Sequence, residues 1–177
     1  MFVDMMSATG IRPMCVLYGS QTGNAQQIAR MLSEELAEKT DGLVECSSLD
    51  ERVKNLSSLS SLSNVACLLI VCSTTGNGDV PENASKFWRA IKSRKCEKTL
   101  FAGVRYAVLG LGDTNYDKFC YMGKQINKRV DELSGEQLLP LCCADEAIDM
   151  EEVVETWMQT VIDKVITDIR PQPIAFS

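Results

Sequence analysis

Residues 14–36 read MCVLYGSQTGNAQQIARMLSEEL. The first six, Met14–Gly19, form an apolar run of strand length, as expected for a strand covered on both faces. From Ala25 the apolar residues fall at Ala25, Ile28, Ala29, Leu32 and Leu36. Those are positions i, i+3, i+4, i+7 and i+11, one face of a helix. Between strand and helix lies a turn with two glycines, Gly19 and Gly23, and no Lys or Arg until Arg30. A strand, a glycine turn and a helix together aim backbone N–H groups at an anion. Ser20, Thr22 and Asn24 add side-chain donors. The plainer reading is a simple strand-to-helix turn with Thr22 or Asn24 as helix cap.

The same alternation continues along the chain. Leu43–Leu49 predicts a shorter, more polar strand near a sheet edge. Glu51–Asn64 contains LSSLSSLS and reads as a connection with a short helix. VACLLIVC (65–72) is the clearest strand, apolar throughout. After the loop STTGNGDVP, Ala84, Phe87, Trp88 and Ile91 predict a helix. VRYAVLGL (104–111) is a further strand. A helix is expected from Asp117 onward, through Phe119, Met122, Ile126, Val130 and Leu133. QLLPLCC (137–143) predicts a fifth strand, complicated by Pro140, which has no N–H to donate. Val154, Trp157, Met158, Val161 and Val165 mark the last helix.

Five strands alternating with helices predict a doubly wound α/β sheet. Such sheets bind ligands beyond the carboxyl ends of their strands, where the strand order reverses. The polar, glycine-bearing loops 19–24, 73–81 and 112–118 all follow predicted strands. One ligand site built from strand-end loops is the expectation.

Composition narrows the chemistry. A length of 177 residues argues for one domain, and a hydrophobic fraction of 45% suffices for its core. The net charge of −6 and sequence pI near 4.8 disfavour nucleic acid and anionic membranes as primary partners, and favour partners with basic patches. There is no histidine, which excludes histidine triads and histidine general bases. The eight cysteines include no CxxC pair, so no metal site is expected. Without a signal sequence they read as reduced thiols packed in a cytoplasmic protein. MFVDMMSATGIRP lacks the features of a targeting signal, and no run reaches membrane-spanning length.

The first loop fits familiar nucleotide motifs poorly. A Walker loop needs Lys after its second glycine, where Asn24 stands. GxGxxG needs a second glycine where Gln21 stands. A receiver domain needs acidic residues where Tyr18 and Gly19 lie. A loop that holds a phosphate monoester with neutral donors remains.

GSQTGNA, STTGNGDVPENASKFW and AVLGLGDTNYDKFC occur in that order at successive strand ends. Together they resemble the FMN-binding, flavodoxin-like domain of the diflavin reductases, over about residues 13–167. The resemblance implies a flavodoxin-like five-stranded parallel sheet, order 2-1-3-4-5, with helices on both faces. It implies a domain at 13–168, an N-terminal extension at 1–12, and a linker or hinge at 169–177. Within the family, YDKFCYMGKQINKR and ADEAIDMEEVVETW resemble methionine synthase reductase. GSQTGNAQ and KFWRAIKSRK resemble equally the cytosolic diflavin reductase of iron–sulfur assembly.

By this resemblance Ser20, Gln21, Thr22, Gly23, Asn24 and Ala25 surround the FMN phosphate. Ser73, Thr74, Thr75, Gly76, Asn77 and Gly78 pass along the isoalloxazine ring, with the Gly76 or Asn77 carbonyl near the flavin N5. Leu111, Gly112, Asp113, Tyr116, Phe119 and Cys120 come from the third loop, and Tyr116 stacks on the flavin. Thr75 stands where cytochrome P450 reductase has a second stacking tyrosine. Asp145 and Glu146 form an acidic loop, and a carboxylate there disfavours negative charge on the flavin by roughly 1–4 kcal/mol at ~4 Å. Cys120 is the thiol to test for reactivity, against plain packing.

The function implied is electron transfer within an NADPH-dependent oxidoreductase. FMN takes single electrons from FAD and passes them to a protein acceptor, foremost cobalamin-dependent methionine synthase. The alternatives are the iron–sulfur-assembly enzyme, a cytochrome P450 reductase-like enzyme, a stand-alone flavodoxin, or a flavin-free interaction module. FAD and NADPH would belong to a reductase module elsewhere in the same parent chain. The carboxylates Asp145, Glu146, Asp149, Glu151, Glu152 and Glu155 would steer a basic redox partner; a solvated helix face is the plainer reading of them.

Overall fold

The computed structural model describes residues 12–169. Residues 1–11 and 170–177, which carry almost all of the expected extension and hinge, lie outside the described residues. In chain order the elements are β1 Met14–Gly19, α1 Asn24–Lys39, β2 Val44–Ser48, α2 Leu49–Arg52 and a 3₁₀ helix Leu56–Leu62. Then come β3 Cys67–Ser73, a 3₁₀ turn Glu82–Ala84, α3 Ser85–Ile91, β4 Arg105–Gly112 and α4 Tyr121–Glu132. The order ends with β5 Glu136–Gln137, β6 Cys142–Asp145 and α5 Met150–Asp168.

The sheet is parallel, in the order β2-β1-β3-β4-β5, with β6 also paired to β4. Strand alternation sorts its side chains onto two faces. Cys15, Leu17, Leu68, Ile70, Cys72, Tyr106 and Val108 pack with α2, the 3₁₀ helix, α3 and α4. Met14, Val16, Tyr18, Leu69, Val71, Ala107, Leu109 and Leu111 pack with α1 and α5. Both faces are covered, which is why the central strands are continuously apolar. The helix stripe of Ala25, Ile28, Ala29, Leu32 and Leu36 is buried as its spacing predicts, as is Val154, Trp157, Met158, Val161 and Val165. Cys15, Cys67 and Cys72 sit inside this core, and burial pushes their thiols up to about 12. They are packing groups.

Four local expectations change. The second strand ends at Ser48, because Ser48 caps α2. Its Oγ accepts from the Glu51 N–H at 3.1 Å, while the Ser48 N–H donates to the Glu51 carboxylate at 2.8 Å. The third strand begins at Cys67 rather than Val65. The fifth strand is split: Glu136–Gln137 pairs with Arg105–Tyr106, and Cys142–Asp145 with Leu109–Gly112. The Leu138 N–H still donates to the Tyr106 carbonyl at 2.7 Å, and residues 139–141, with Pro140, interrupt the ladder. The helix expected from Asp117 begins at Tyr121, leaving Phe119 outside it. Cys120 precedes it in the left-handed region, at φ 51° and ψ 28°. Thr74 Oγ1, from the β3 loop, accepts from the Met122 N–H at 3.1 Å and anchors that start.

No helix among the described residues is long and apolar enough to cross a membrane.

Candidate functional site

The strand order turns at β1 and β3: β1 connects outward to β2 on one side, and β3 to β4 on the other. A crevice opens beyond the carboxyl ends of such strands. Ser73 Oγ closes its floor by donating to the Gly19 carbonyl at 3.2 Å. Gly19 is required there. A Cβ would stand 2.9 Å from Ala84 Cβ and 3.0 Å from Cys72 Sγ.

A cleft of ≈ 250 Å³ lies above this floor. The first loop contributes Gln21 and Thr22, the second Ser73, Thr74, Thr75 and Gly76. The third contributes Gly112, Asp113, Tyr116 and Lys118, and the last Glu146. Three loops expected to share a site, and the acidic loop, thus meet in one place.

At the first loop, Gly23 lies at φ 100° and starts α1. Its N–H donates to Ser20 Oγ at 3.0 Å, and the Ser20 N–H donates to Asn83 Oδ1 at 2.8 Å. The loop is fixed by one bond within it and by one from Asn83. Neither Thr22 nor Asn24 caps the helix; there is no side-chain cap and no acidic residue in the first turn. Orphan N–H groups therefore remain at the helix start, a natural seat for an anion. Asn83, which positions Ser20, was missed in the sequence; it is 63 residues away and carries no local signal.

The second loop folds back on itself. The Thr75 N–H donates to the Asp79 carbonyl at 2.9 Å, and the Asp79 N–H to the Thr75 carbonyl at 2.8 Å. Gly76 and Gly78 occupy positive φ, and Gly76 and Asn77 are exposed at the tip. Thr75 Oγ1 is buried with no hydrogen-bond partner. A buried hydroxyl without a partner is costly, and Thr75 is one of the residues lining the cleft.

The third loop leaves Tyr116 56% exposed beside the cleft. An aromatic ring so placed offers a flat apolar face to a planar ligand. Lys118 was not among the expected site residues. Its stem lies over Gly78, where a Cβ would stand 2.5 Å from Lys118 Cδ. Its Nζ sits 5.0 Å from the Tyr121 ring centroid. The lysine is visible in DTNYDKF, but its approach to the second loop is not.

Asp145 and Glu146 separate in role. Asp145 does not line the cleft. It accepts from Thr114 Oγ1 at 2.6 Å, from the Thr114 N–H at 3.2 Å and from the Ala147 N–H at 2.9 Å. The Thr114 hydroxyl bond, with the backbone bonds, holds its carboxyl below the usual range, against a smaller burial effect. It clasps the third loop to the last. Glu146 lines the cleft, its N–H donating to the Gly112 carbonyl at 2.8 Å. Of the other expected residues, Ala25, Leu111 and Cys120 are buried in the fold, and Phe119 is half-buried. Ser20 opens instead on a neighbouring cavity of ≈ 480 Å³ with Asn83, Glu82 and Lys86. Asn24, Asn77 and Gly78 flank the cleft in sequence without lining it.

The family model for flavodoxin matches residues 16–157. Among solved structures, oxidised flavodoxin 1 from Bacillus cereus superposes with TM-score 0.70 at 19% identity, over 88% of this chain and 98% of that one. A cysteine-to-serine mutant of flavodoxin from Pseudomonas aeruginosa gives 0.69 at 28% identity, over 87% and 99%. The chain belongs to the flavodoxin family of FMN-binding domains.

Its sequence relatives are diflavin reductases. NADPH-dependent diflavin oxidoreductase 1 is 36% identical in Bos taurus, over 90% of this chain and 26% of that protein. The Xenopus laevis protein of the same name is 38% identical, over 86% and 25%. Methionine synthase reductase of Bos taurus is 39% identical, over 84% and 21%. The chain thus spans about a quarter of the length of these relatives.

The site fits FMN by its own chemistry. An uncapped helix start suits a phosphate, a partnerless hydroxyl at Thr75 suits a polar ring edge, and exposed Tyr116 suits a planar ring.

Proposed function

We propose that this chain is the electron-transfer domain of an NADPH-dependent diflavin reductase. The observation that carries the proposal is the cleft in which Gln21 and Thr22, just ahead of an uncapped helix start, meet Thr75, with its orphan hydroxyl, and exposed Tyr116. FMN, when bound, supplies the capacity to accept and release electrons one at a time. The chain's residues bind it and set its surroundings. Amides at the start of α1, with Ser20, Gln21, Thr22, Gly23, Asn24 and Ala25 around them, would hold the phosphate. Ser73 through Gly78 would border the ring, with the unpartnered Thr75 hydroxyl among the groups offered to it. Tyr116 would offer its exposed ring to a face of the flavin. Gly112 and Asp113 line the same loop, while Leu111, Phe119 and Cys120 support it from behind. Glu146 places a carboxylate at the cleft and opposes extra negative charge there. Asp145 holds Tyr116's loop in place.

FAD and NADPH belong to the reductase module of the parent protein in this reading. Residues 13–168 form the flavodoxin-like unit, between an extension and a hinge. The acceptor is a protein with a basic docking surface. It is cobalamin-dependent methionine synthase, supported by the 39% identity to methionine synthase reductase of Bos taurus. The similar identity to NADPH-dependent diflavin oxidoreductase 1 favours a second reading, iron–sulfur assembly. A cytoplasmic location agrees with eight free cysteines.

Titrating the purified chain with FMN tests binding. Quenching of flavin fluorescence to a one-to-one end point is expected, and no binding would end the proposal. Mixing the photoreduced, FMN-loaded chain with methionine synthase then tests the acceptor: cobalamin reduction supports that assignment, and its absence favours the second reading.

A further inference from the structure

Cys143 is a half-buried residue on β6, opposite Gly110 of β4. Strand alternation sends its neighbours Cys142 and Ala144 to the face shared with α1 and α5, and Cys143 to the face of α4. Cys120, before α4, occupies a notch made by two strand glycines. A Cβ on Gly110 would stand 3.3 Å from Cys120 Cβ, and one on Gly112 would stand 3.0 Å from Cys120 Sγ. Cys120 therefore lies directly above the position that pairs with Cys143. The two thiols are close enough to perturb each other's ionisation, and the Cys120 S–H donates to the Ala144 carbonyl at 3.9 Å. Cys120 holds a left-handed backbone conformation, seen among the described residues in one other non-glycine residue, Ser134. L-residues are disfavoured there, yet a fully buried cysteine occupies it.

We propose that Cys120 and Cys143 form a peroxide-responsive dithiol that closes to a disulfide behind the third loop of the cleft. The chemistry needs no flavin and stands apart from the FMN reading. The two thiols have distinct parts. Cys143 is held down to about 7, first by the hydrogen bond from Cys120 and also by Lys124, against the opposing effect of burial. Cys120 is pushed up by the same bond and by burial. Cys143 is the partly accessible, thiolate-rich partner and attacks; Cys120 is the buried one and resolves. In the first step the Cys143 sulfur attacks one oxygen of hydrogen peroxide. An S–O bond forms, the O–O bond breaks, and the departing hydroxide takes the thiol proton as water, leaving a sulfenic acid. In the second step the Cys120 sulfur attacks the Cys143 sulfur. The S–S bond forms, the S–O bond breaks, and hydroxide leaves with the Cys120 proton as a second water. Two electrons pass from the sulfurs to peroxide, and two equivalents of an external thiol reverse the change.

The test uses the full chain, reduced and freed of reductant. It is treated with equimolar hydrogen peroxide, blocked with N-ethylmaleimide, and digested without reduction. A peptide pair joining Cys120 to Cys143, two hydrogens lighter than the separate thiols, is expected. In Cys143→Ser, Cys120 should remain a free thiol under the same dose. In Cys120→Ala, with its fold checked by circular dichroism, Cys143 should become trappable by dimedone as a sulfenic acid. The proposal is overturned if both wild-type thiols stay free. A bridge from Cys143 to Cys142, or oxidation of Cys120 that persists in Cys143→Ser, would overturn it equally.

Discussion

Gly112→Ala probes the cleft most directly. A Cβ at this position would stand 2.6 Å from the backbone N of Cys120, and 3.0 Å from both Cys120 Sγ and Phe119 Cδ2. Ordinary contact begins at 3.4 Å, so the Cys120 backbone must retreat by about 0.8 Å. The closest atom is main chain, and no rotamer change can relieve it. Overpacking of this kind costs about 1–3 kcal/mol. For a chain of this size each kcal/mol lowers Tm by about 2–4 °C, so a fall of about 2–12 °C is expected. The displaced segment carries Asp113, Tyr116 and Lys118 into the cleft, so FMN affinity falls with stability. Loss of Tyr116 stacking alone is worth about 0.5–1.5 kcal/mol, roughly 2–13-fold in Kd. Thermal unfolding by circular dichroism and FMN titration by fluorescence read the two effects. Gly103→Ala is the comparison: its φ of 79° strains an alanine, but nothing lies within 4 Å of the new Cβ. It should lower Tm by a few degrees and leave FMN affinity unchanged. The reasoning fails if Gly112→Ala melts within a degree of wild type, or weakens FMN no more than Gly103→Ala does.

Three further outcomes follow from the same cleft. Thr75→Val removes a buried hydroxyl that has no partner, so the FMN-free chain should be as stable or up to about 1–3 kcal/mol more so, while FMN binds more weakly; a less stable FMN-free chain in calorimetry would contradict this. Tyr116→Ala removes an exposed ring, so the FMN-free chain should melt within about 0.5 kcal/mol of wild type, with Kd for FMN raised about 2–13-fold; an unchanged Kd would remove Tyr116 from the site. For Asp145→Asn the sign follows from the depressed carboxyl. Its contribution is present above the ordinary carboxyl value near pH 4 and is lost as pH falls through the lower folded value. Wild type and variant should therefore differ at pH 6 and draw together in acid; a gap that does not narrow as the pH of urea unfolding is lowered would refute the clasp.

The two-layered core was legible because its signals are local and periodic. Ala25, Ile28, Ala29, Leu32 and Leu36 have helix spacing, and Cys67–Cys72 is apolar because both faces are covered. The convergence of three strand-end loops followed from the sheet class itself. The start of α4 was not legible. Residues from Asp117 onward carry an acceptable helix pattern, but Gly110 and Gly112 let Cys120 settle against β4, and Thr74 caps the helix later. Pro140 marked an irregularity in the fifth strand. That both halves pair with β4 is a matter of long-range register.

The sequence by itself determined the alternation of strands and helices, the places of the glycine loops, and the donors and carboxylates available to a ligand. These depend on residue type and on spacing within a few turns of chain. The tertiary structure decided which groups face the cleft. Asp145 and Glu146 are adjacent and chemically alike, yet Thr114, 31 residues from Asp145, takes one as a clasp and leaves the other beside the cleft. Cys120 and Cys143 are likewise far apart in sequence, and only the parallel pairing of β4 with β6 brings their thiols together. Such choices rest on contacts between distant segments, which no local pattern encodes.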